Sequence, residues 1–142
     1  MRGIYDRVSV TTCIDAIILN NDTEGKGVAV DLAGYEAALV VVQVGISADT
    51  LSGSVFHTFK LQESATTTDG DFTDVAAGDM DGTNSVVIDD AAEDPATIVW
   101  GYKGAKRYIR VFDDTTGTHT NGTPTAACVV RTRARHLGGA AA

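Results

Sequence analysis

The sequence of 142 residues has few cysteines, prolines and aromatic residues, and it has no long hydrophobic run. No apolar segment approaches the roughly 20 residues that a transmembrane helix requires, and residues 1–7 show no apolar signal-peptide core. Two cysteines are too few for a disulfide scaffold. We therefore expect no membrane partner and a single domain that folds through its own hydrophobic core.

Motifs of common catalytic and metal sites are also missing from the sequence. There is no G-x-S-x-G motif and no phosphate-binding glycine loop. His57, His119 and His136 do not have the spacing of zinc ligands; we interpret His57 as a hydrogen-bonded structural residue in a strand and the other two as exposed. Cys13 and Cys128 are interpreted as inert core thiols in strands, and whether they form a disulfide stays open. The sequence therefore predicts neither an enzyme nor a bound cofactor.

Charge is distributed unevenly along the chain. The net charge of −8 disfavours nucleic acid as a partner. Asp69–Asp94 contains nine acidic residues and no Lys or Arg, whereas Lys103–Arg135 contains seven basic residues and only two acidic ones. This split fits contacts between copies or with a charged lattice, or a solvated surface. Within the acidic stretch, Asp69–Asp81 leaves a calcium site open, although the spacing of an EF-hand is not met.

Short apolar segments rich in Val, Ile and Ala alternate with turn residues, which favours strands over helices. Tyr35–Ile46 is the strongest predicted strand, and its continuous apolar centre predicts burial on both faces. Ser54–Glu63 alternates between apolar and polar residues, and Asp113–Thr125 reads as a polar loop. The other predicted strands are Cys13–Leu19, Gly27–Leu32, Phe72–Ala76, Ser85–Asp89, Thr97–Tyr102, Lys106–Phe112 and Ala126–Arg135.

About eight or nine short strands with intervening turns predict an all-β fold, namely a single-domain antiparallel β-sandwich of jelly-roll type. We place this domain at residues 13–136. Residues 1–12 are predicted to form an N-terminal arm, and residues 137–142 a flexible C-terminal tail.

Three arginines alternate along the last predicted strand. Arg131, Arg133 and Arg135 share one face at about 7 Å spacing, and they repel one another unless a partner neutralises them. That partner is the acidic stretch of a neighbouring copy, an acidic patch on another protein, or phosphate; the alternative is a solvated edge strand protected by charge. Cys128 is predicted to lie on the opposite, core-facing side of this strand.

Three groups of segments occur in a fixed order between Gly34 and Arg135. They are GYE at 34–36, KLQES at 60–64 followed by DGDFTDV at 69–75, and GYKG at 101–104 followed by KRYIRV at 106–111. In this order they resemble small β-sandwich virion proteins of tailed bacteriophages and related prophages. The resemblance implies a capsid cement or decoration protein on the capsid surface, which bridges major capsid subunits and has no catalytic residues.

Two alternative surfaces are hypothesised to contact the shell within this interpretation. One consists of Arg131, Arg133, Arg135, Tyr108 and Arg110, and the other is the acidic region Asp69–Asp94. A dimer or trimer on the shell is one hypothesis for the oligomeric state, which the sequence leaves open. A neck or tail role, as a head-closure or terminator protein, is the alternative. A carbohydrate-binding sandwich is the third reading; Trp100 is its sole candidate aromatic platform, and a core position is favoured for it.

Overall fold

A computed structural model describes residues 4–21 and 25–134, and the strands in it form two antiparallel sheets packed face to face. The predicted all-β sandwich is therefore confirmed. No helix in the described part of the chain is long and apolar enough to cross a membrane. The strands are β1 (Val8–Leu19), β2 (Val30–Asp31), β3 (Tyr35–Val44), β4 (Phe56–Ser64), β5 (Thr73–Asp74), β6 (Met80–Asp81), β7 (Val86–Ile88), β8 (Ala96–Tyr102), β9 (Tyr108–Thr116) and β10 (Thr123–Ala134), with short 3₁₀ turns at Tyr5–Arg7, Asp69–Asp71 and Ala77–Asp79.

The strands pair as in one long antiparallel hairpin that is folded over into two sheets. Sheet A has the order β1-β10-β3-β8-β6, and sheet B has the order β2-β9-β4-β5 with β7 also paired to β4. Thus β1 lies beside β10, β2 beside β9, β3 beside β8, and β4 beside β7, all antiparallel. This is the strand order of a jelly roll, in which two sheets share one core.

The core lies between the two sheets and contains the inward side chains of β3, β4, β8 and β9. Trp100 is 1% exposed, and its Nε1 donates a hydrogen bond to the carbonyl oxygen of Thr83 at 2.9 Å. The prediction of a core tryptophan is therefore confirmed, and Trp100 offers no surface for stacking a sugar.

One face of β3 is exposed to solvent, so the prediction that both faces of this strand are buried is wrong. Val40 and Val42 are fully buried, but Leu39 on the other face is 43% exposed and Val41 is only half-buried. No described element packs on this outer face, so the continuous apolar run reflects an apolar exterior as well as an apolar core.

Two segments expected to be irregular belong to the sheets. β1 begins at Val8, which pairs with Thr132, so part of the predicted arm at 1–12 lies in sheet A. β9 continues to Thr116 and β10 starts at Thr123, which shortens the predicted loop to residues 117–122. The predicted tail at 137–142 lies outside the described residues.

This short loop is held by the carboxylate of Asp49. Oδ1 accepts the backbone N–H groups of Thr120 at 3.2 Å and Asn121 at 2.9 Å, and Oδ2 accepts that of Gly122 at 2.7 Å. Burial by itself would raise the pKa of Asp49, but the three amides and the neighbouring His119 lower it below its ordinary value.

Acid is expected to destabilise the protein through this carboxylate. Because the folded-state pKa of Asp49 lies below the ordinary value of 3.8, the unfolded chain takes up the proton first as the pH falls. The stabilisation is therefore complete above the ordinary pKa of 3.8 and is lost as the pH drops through the folded-state pKa. Urea unfolding between about pH 6 and about pH 2 measures this loss, and Asp49→Asn should flatten the acid limb. Parallel curves for the two proteins would contradict the assignment.

Candidate interaction site: a basic cleft at one end of the sandwich

Two turns meet at one end of the sandwich, the β2–β3 turn and the β8–β9 turn. Between them lies a cleft of about 230 Å³, lined by residues 32–38 and 102–107 and called here the basic cleft. Residues of the GYE segment at 34–36, the GYKG segment at 101–104 and the KRYIRV segment at 106–111 are far apart in sequence and line this cleft together.

The floor of the basic cleft is the side chain of Tyr102, which is buried between the sheets. Its hydroxyl donates to Glu63 Oε2 at 2.6 Å and accepts the backbone N–H of Lys106 at 3.0 Å. Burial, followed by the bond to Glu63, raises the pKa of Tyr102 well above its usual range. A Cβ on Gly104 would lie 2.5 Å from the Tyr102 hydroxyl, so the turn fits closely over a fixed floor.

The rim carries three exposed cations. Lys103 Nζ lies 2.7 Å from Asp81 Oδ1, and Arg107 makes two bonds to the Asp31 carboxylate, at 3.0 and 2.7 Å. Arg107, followed by the backbone N–H of Ala33, lowers the pKa of Asp31 to about 2. Such exposed ion pairs contribute little to stability and exchange partners readily.

The third cation of the rim, Lys106, has no ion-pair partner among the described residues. Glu36 is the acidic side chain that lines the cleft. With Asp31 and Asp81, the rim holds as many carboxylates as cations, and Lys106 is the cation whose charge is left free for whatever approaches this end of the described structure.

Arg131 lies beneath this end of the molecule and points inward. Nη1 donates to the carbonyl oxygen of Asp31 at 2.7 Å, and Nη2 donates to Ser9 Oγ at 2.9 Å and Thr11 Oγ1 at 2.6 Å. Its guanidinium carbon lies 4.5 Å from the ring centroid of Tyr35. Arg131 thus ties β1, β2 and β3 to β10 and supports the cleft from below, so the prediction of an outward arginine is wrong at this position.

The other two arginines of the predicted row, Arg133 and Arg135, follow Arg131 in the sequence. Arg133 belongs to β10, which ends beside the cleft because Ala134 pairs with Tyr35. Its side chain and all of Arg135 lie outside the described part of the structure. Their assignment to partner contact stays a prediction, and β10 ends on the same side of the sandwich as the basic cleft.

Arg110 and Tyr108, the remaining predicted contacts, have intramolecular neighbours on sheet B. Arg110 is 8% exposed; its Nε donates to Gln62 Oε1 at 3.0 Å, Nη1 donates to Asp69 Oδ1 at 2.5 Å, and its guanidinium carbon lies 4.1 Å from the Phe72 ring centroid. Tyr108 is half-buried with the Arg107 guanidinium carbon 5.2 Å from its ring centroid. Arg110 therefore anchors the acidic stretch to β9.

Several acidic side chains of the Asp69–Asp94 stretch are paired within the chain. Asp69 also contacts Lys26 Nζ at 2.9 Å, and Asp74 Oδ1 accepts the side-chain amide of Gln62 at 3.0 Å. Among the described residues, no three His, Cys, Asp or Glu side chains are grouped so that they could hold a metal ion.

A polar cluster is buried at the opposite end of the sandwich. His57 is fully buried; Nδ1 lies 2.6 Å from Asp113 Oδ2, and Nε2 lies 2.8 Å from Thr123 Oγ1. The His119 ring centroid lies 4.3 Å from that of His57, and its Nε2 contacts the carbonyl oxygen of Thr116 at 3.1 Å.

This cluster confirms the structural role predicted for His57, but His119 is 6% exposed and not solvated as predicted. A hydroxyl, an imidazole and a carboxylate that are linked by hydrogen bonds are the parts of a nucleophilic triad. Here Thr123 and Asp113 are both 0% exposed, so the hydroxyl is sealed from any substrate and the cluster serves packing. His136 lies outside the described residues.

The two cysteines lie in neighbouring strands but on opposite sides of sheet A. Cys13 is buried; its thiol donates to the carbonyl oxygen of Val28 at 3.3 Å and accepts the N–H of Val111 at 3.2 Å. Burial raises the pKa of Cys13 to about 11. Cys128 is half-buried on the outer face, so its predicted core position is wrong, and both thiols are free.

No protein-family model, no curated protein and no solved structure matches this chain.

Proposed function

We propose that this chain is a structural protein of a virus particle, a bacteriophage capsid cement or decoration protein that binds the outer surface of the shell and bridges neighbouring major capsid subunits. The observation that carries the proposal is the basic cleft, where the segments at 34–36 and 101–107 come together. A jelly roll is a fold that recurs in viral capsid and lectin domains, and the site rather than the fold has to supply the function.

The chemistry of the basic cleft suits an acidic patch on a folded partner. Lys106 has no ion-pair partner among the described residues, so its ammonium group can bind a carboxylate of a partner. The exposed pairs of Lys103 and Arg107 can exchange their carboxylates for those of a partner at low cost. Tyr102, which lies under these cations, is already held in place, so binding a partner costs no conformational entropy there. On a shell, many such modest contacts add up because each particle presents the same patch repeatedly.

A long polar loop was the feature that favoured a neck or tail role, and this loop is much shorter than the sequence predicts. The predicted loop from Asp113 to Thr125 is reduced to residues 117–122, and Asp49 fixes its backbone. A short loop held in this way reaches less far into a neighbouring ring than a long mobile one.

Copy number in purified particles tests the proposed role. Quantitative mass spectrometry against the major coat protein is expected to give a number of copies comparable to that of the coat protein. A number many times smaller would indicate a neck or tail component, and absence of the chain from the particles would refute the virion assignment.

Replacement of Lys106 by glutamate is expected to weaken binding to particles that lack the protein by about tenfold or more, since one rim cation becomes an anion facing an acidic patch. Lys26→Glu makes the same charge change outside the cleft and is the matched control. Cosedimentation with the particles measures both variants. Equal weakening by the two would show that net charge, not the basic cleft, governs binding.

A further inference from the structure

The outer face of sheet A has a broad centre without charged side chains among the described residues. Directly paired residues place their side chains on the same face, and the register aligns Val10 with Val130 and Leu39, and Cys128 with Val41. This surface, called here the sheet A face, consists of Val10, Thr12, Ile18, Ala37, Leu39, Val41, Gln43, Thr97, Val99, Pro124, Ala126, Cys128 and Val130.

Large apolar side chains on this face are open to solvent. Val10 is 62% exposed, Val99 is 48% exposed and Leu39 is 43% exposed. The chain carries 11 basic and 19 acidic residues, yet none of them is a member of the sheet A face. Charged residues are found on its two edge strands, with Asp15 on β1 and Asp81 on β6. An apolar centre with a charged rim is the anatomy of a protein–protein interface, and exposed apolar patches of this extent mark interaction sites.

The outer face of sheet B has the opposite character. Lys60 Nζ contacts Asp114 Oδ2 at 2.9 Å, and Arg110 bonds to Gln62 on the same face. The chain itself covers part of this face, since Phe72 lies against Arg110. The two exteriors therefore differ in what they can bind, although they belong to one sandwich.

We propose that the sheet A face binds a second copy of this chain, giving a two-fold dimer whose sheets pack face to face. A face with an apolar, uncharged centre can pack against the same face of a second copy, which is what a two-fold interface requires. Each copy carries a net charge of −8, so two copies repel one another over most of their surfaces. The sheet A face is where they can approach without placing like charges in contact.

The size of the face is sufficient for a specific interface. Four strands about 4.8 Å apart, over about eight residues at about 3.3 Å each, cover about 500 Å² per copy. A dimer therefore buries about 1,000 Å² in total, which is the lower limit of the area that specific interfaces bury. The two sheets would lie about 10 Å apart, as the layers of a sandwich do.

This dimer goes beyond the proposed function, because it concerns the isolated protein and needs no shell. Sedimentation equilibrium of the full chain at about 1–100 µM is expected to give a mass that rises to twice the 14.8 kDa of one copy. Val99→Glu puts a charge on the sheet A face and should give a monomer throughout this range. Val87→Glu is the matched control, because Val87 is 41% exposed on sheet B, and it should dimerise as the wild type does.

Reactivity of the Cys128 thiol gives a second readout on the same face. Cys13 is buried, so modification by a thiol reagent in the folded protein reports on Cys128. Modification should be at least about threefold faster in Val99→Glu than in wild type or Val87→Glu at high protein concentration. A monomeric wild type at the highest concentration, or equal dissociation by the two valine variants, would overturn the proposal.

Discussion

Replacement of His57 by leucine is expected to lower the free energy of unfolding by about 3–5 kcal/mol, the cost of removing one member of a buried polar pair. Asp113 is fully buried, and its Oδ2 has His57 as its partner while its Oδ1 has no hydrogen-bond partner within the described residues. The substitution leaves that carboxylate without a partner and also removes the contact to Thr123. Urea unfolding at neutral pH measures the difference.

A double-mutant cycle separates this effect from the loss of packing volume. His57→Leu and Asp113→Leu are made singly and together, and the double variant should be less destabilised than the sum of the two by about 1 kcal/mol or more, because it contains no stranded charge. Additive losses would mean that the two side chains act independently, and the pair would then be unimportant for stability.

Alanine at Gly122 is expected to cost about 3 kcal/mol or more, since backbone strain and a steric clash act together at this position. Gly122 has a φ of +76°, and a Cβ there would lie 2.5 Å from Ile18 Cγ2 and 2.6 Å from the carbonyl oxygen of Leu19. The carbonyl belongs to β1 and cannot move without breaking its pairing with β10. Thermal or urea unfolding gives the magnitude.

Gly34→Ala is a matched control for the same substitution. Gly34 has a φ of +86°, but a Cβ there meets nothing within 4 Å. The control carries the strain alone and should cost about 1–2 kcal/mol. The difference between the two variants is then the contribution of the clash, and equal losses would contradict the packing described for Gly122.

Sequence patterns predicted the sandwich because most strands obey the ordinary rule that apolar side chains face inward. β10 obeys it only in its middle, where Ala127 and Val129 are buried in the core. At its two ends the inward face carries Thr123, Thr125 and Arg131, whereas its outer face carries Cys128 and Val130. An alternating pattern with polar residues at both ends of the inward face predicts outward arginines and an inward Cys128, which is the opposite of what the fold shows for Arg131 and Cys128.

Two further features depend on contacts between segments that are distant in the sequence. His119 lies in a polar loop, which predicts a solvated side chain, but its neighbours His57 and Asp49 come from distant segments that only the fold brings together. The basic cleft likewise depends on the meeting of the β2–β3 and β8–β9 turns. A usable signal did exist for the sheet A face, namely the absence of charge at alternate positions of β3 and β8.

Placement of β10 has a consequence for how the chain folds as it is synthesised. β10 lies between β1 and β3 in sheet A, and its Arg131 bonds to Ser9 across a separation of 122 residues. Until the ribosome has released β10, β1 has no strand partner and one edge of β3 is empty. Sheet A therefore closes only after β10 has been synthesised, and a jelly roll with such distant pairings is expected to fold slowly, in milliseconds to seconds.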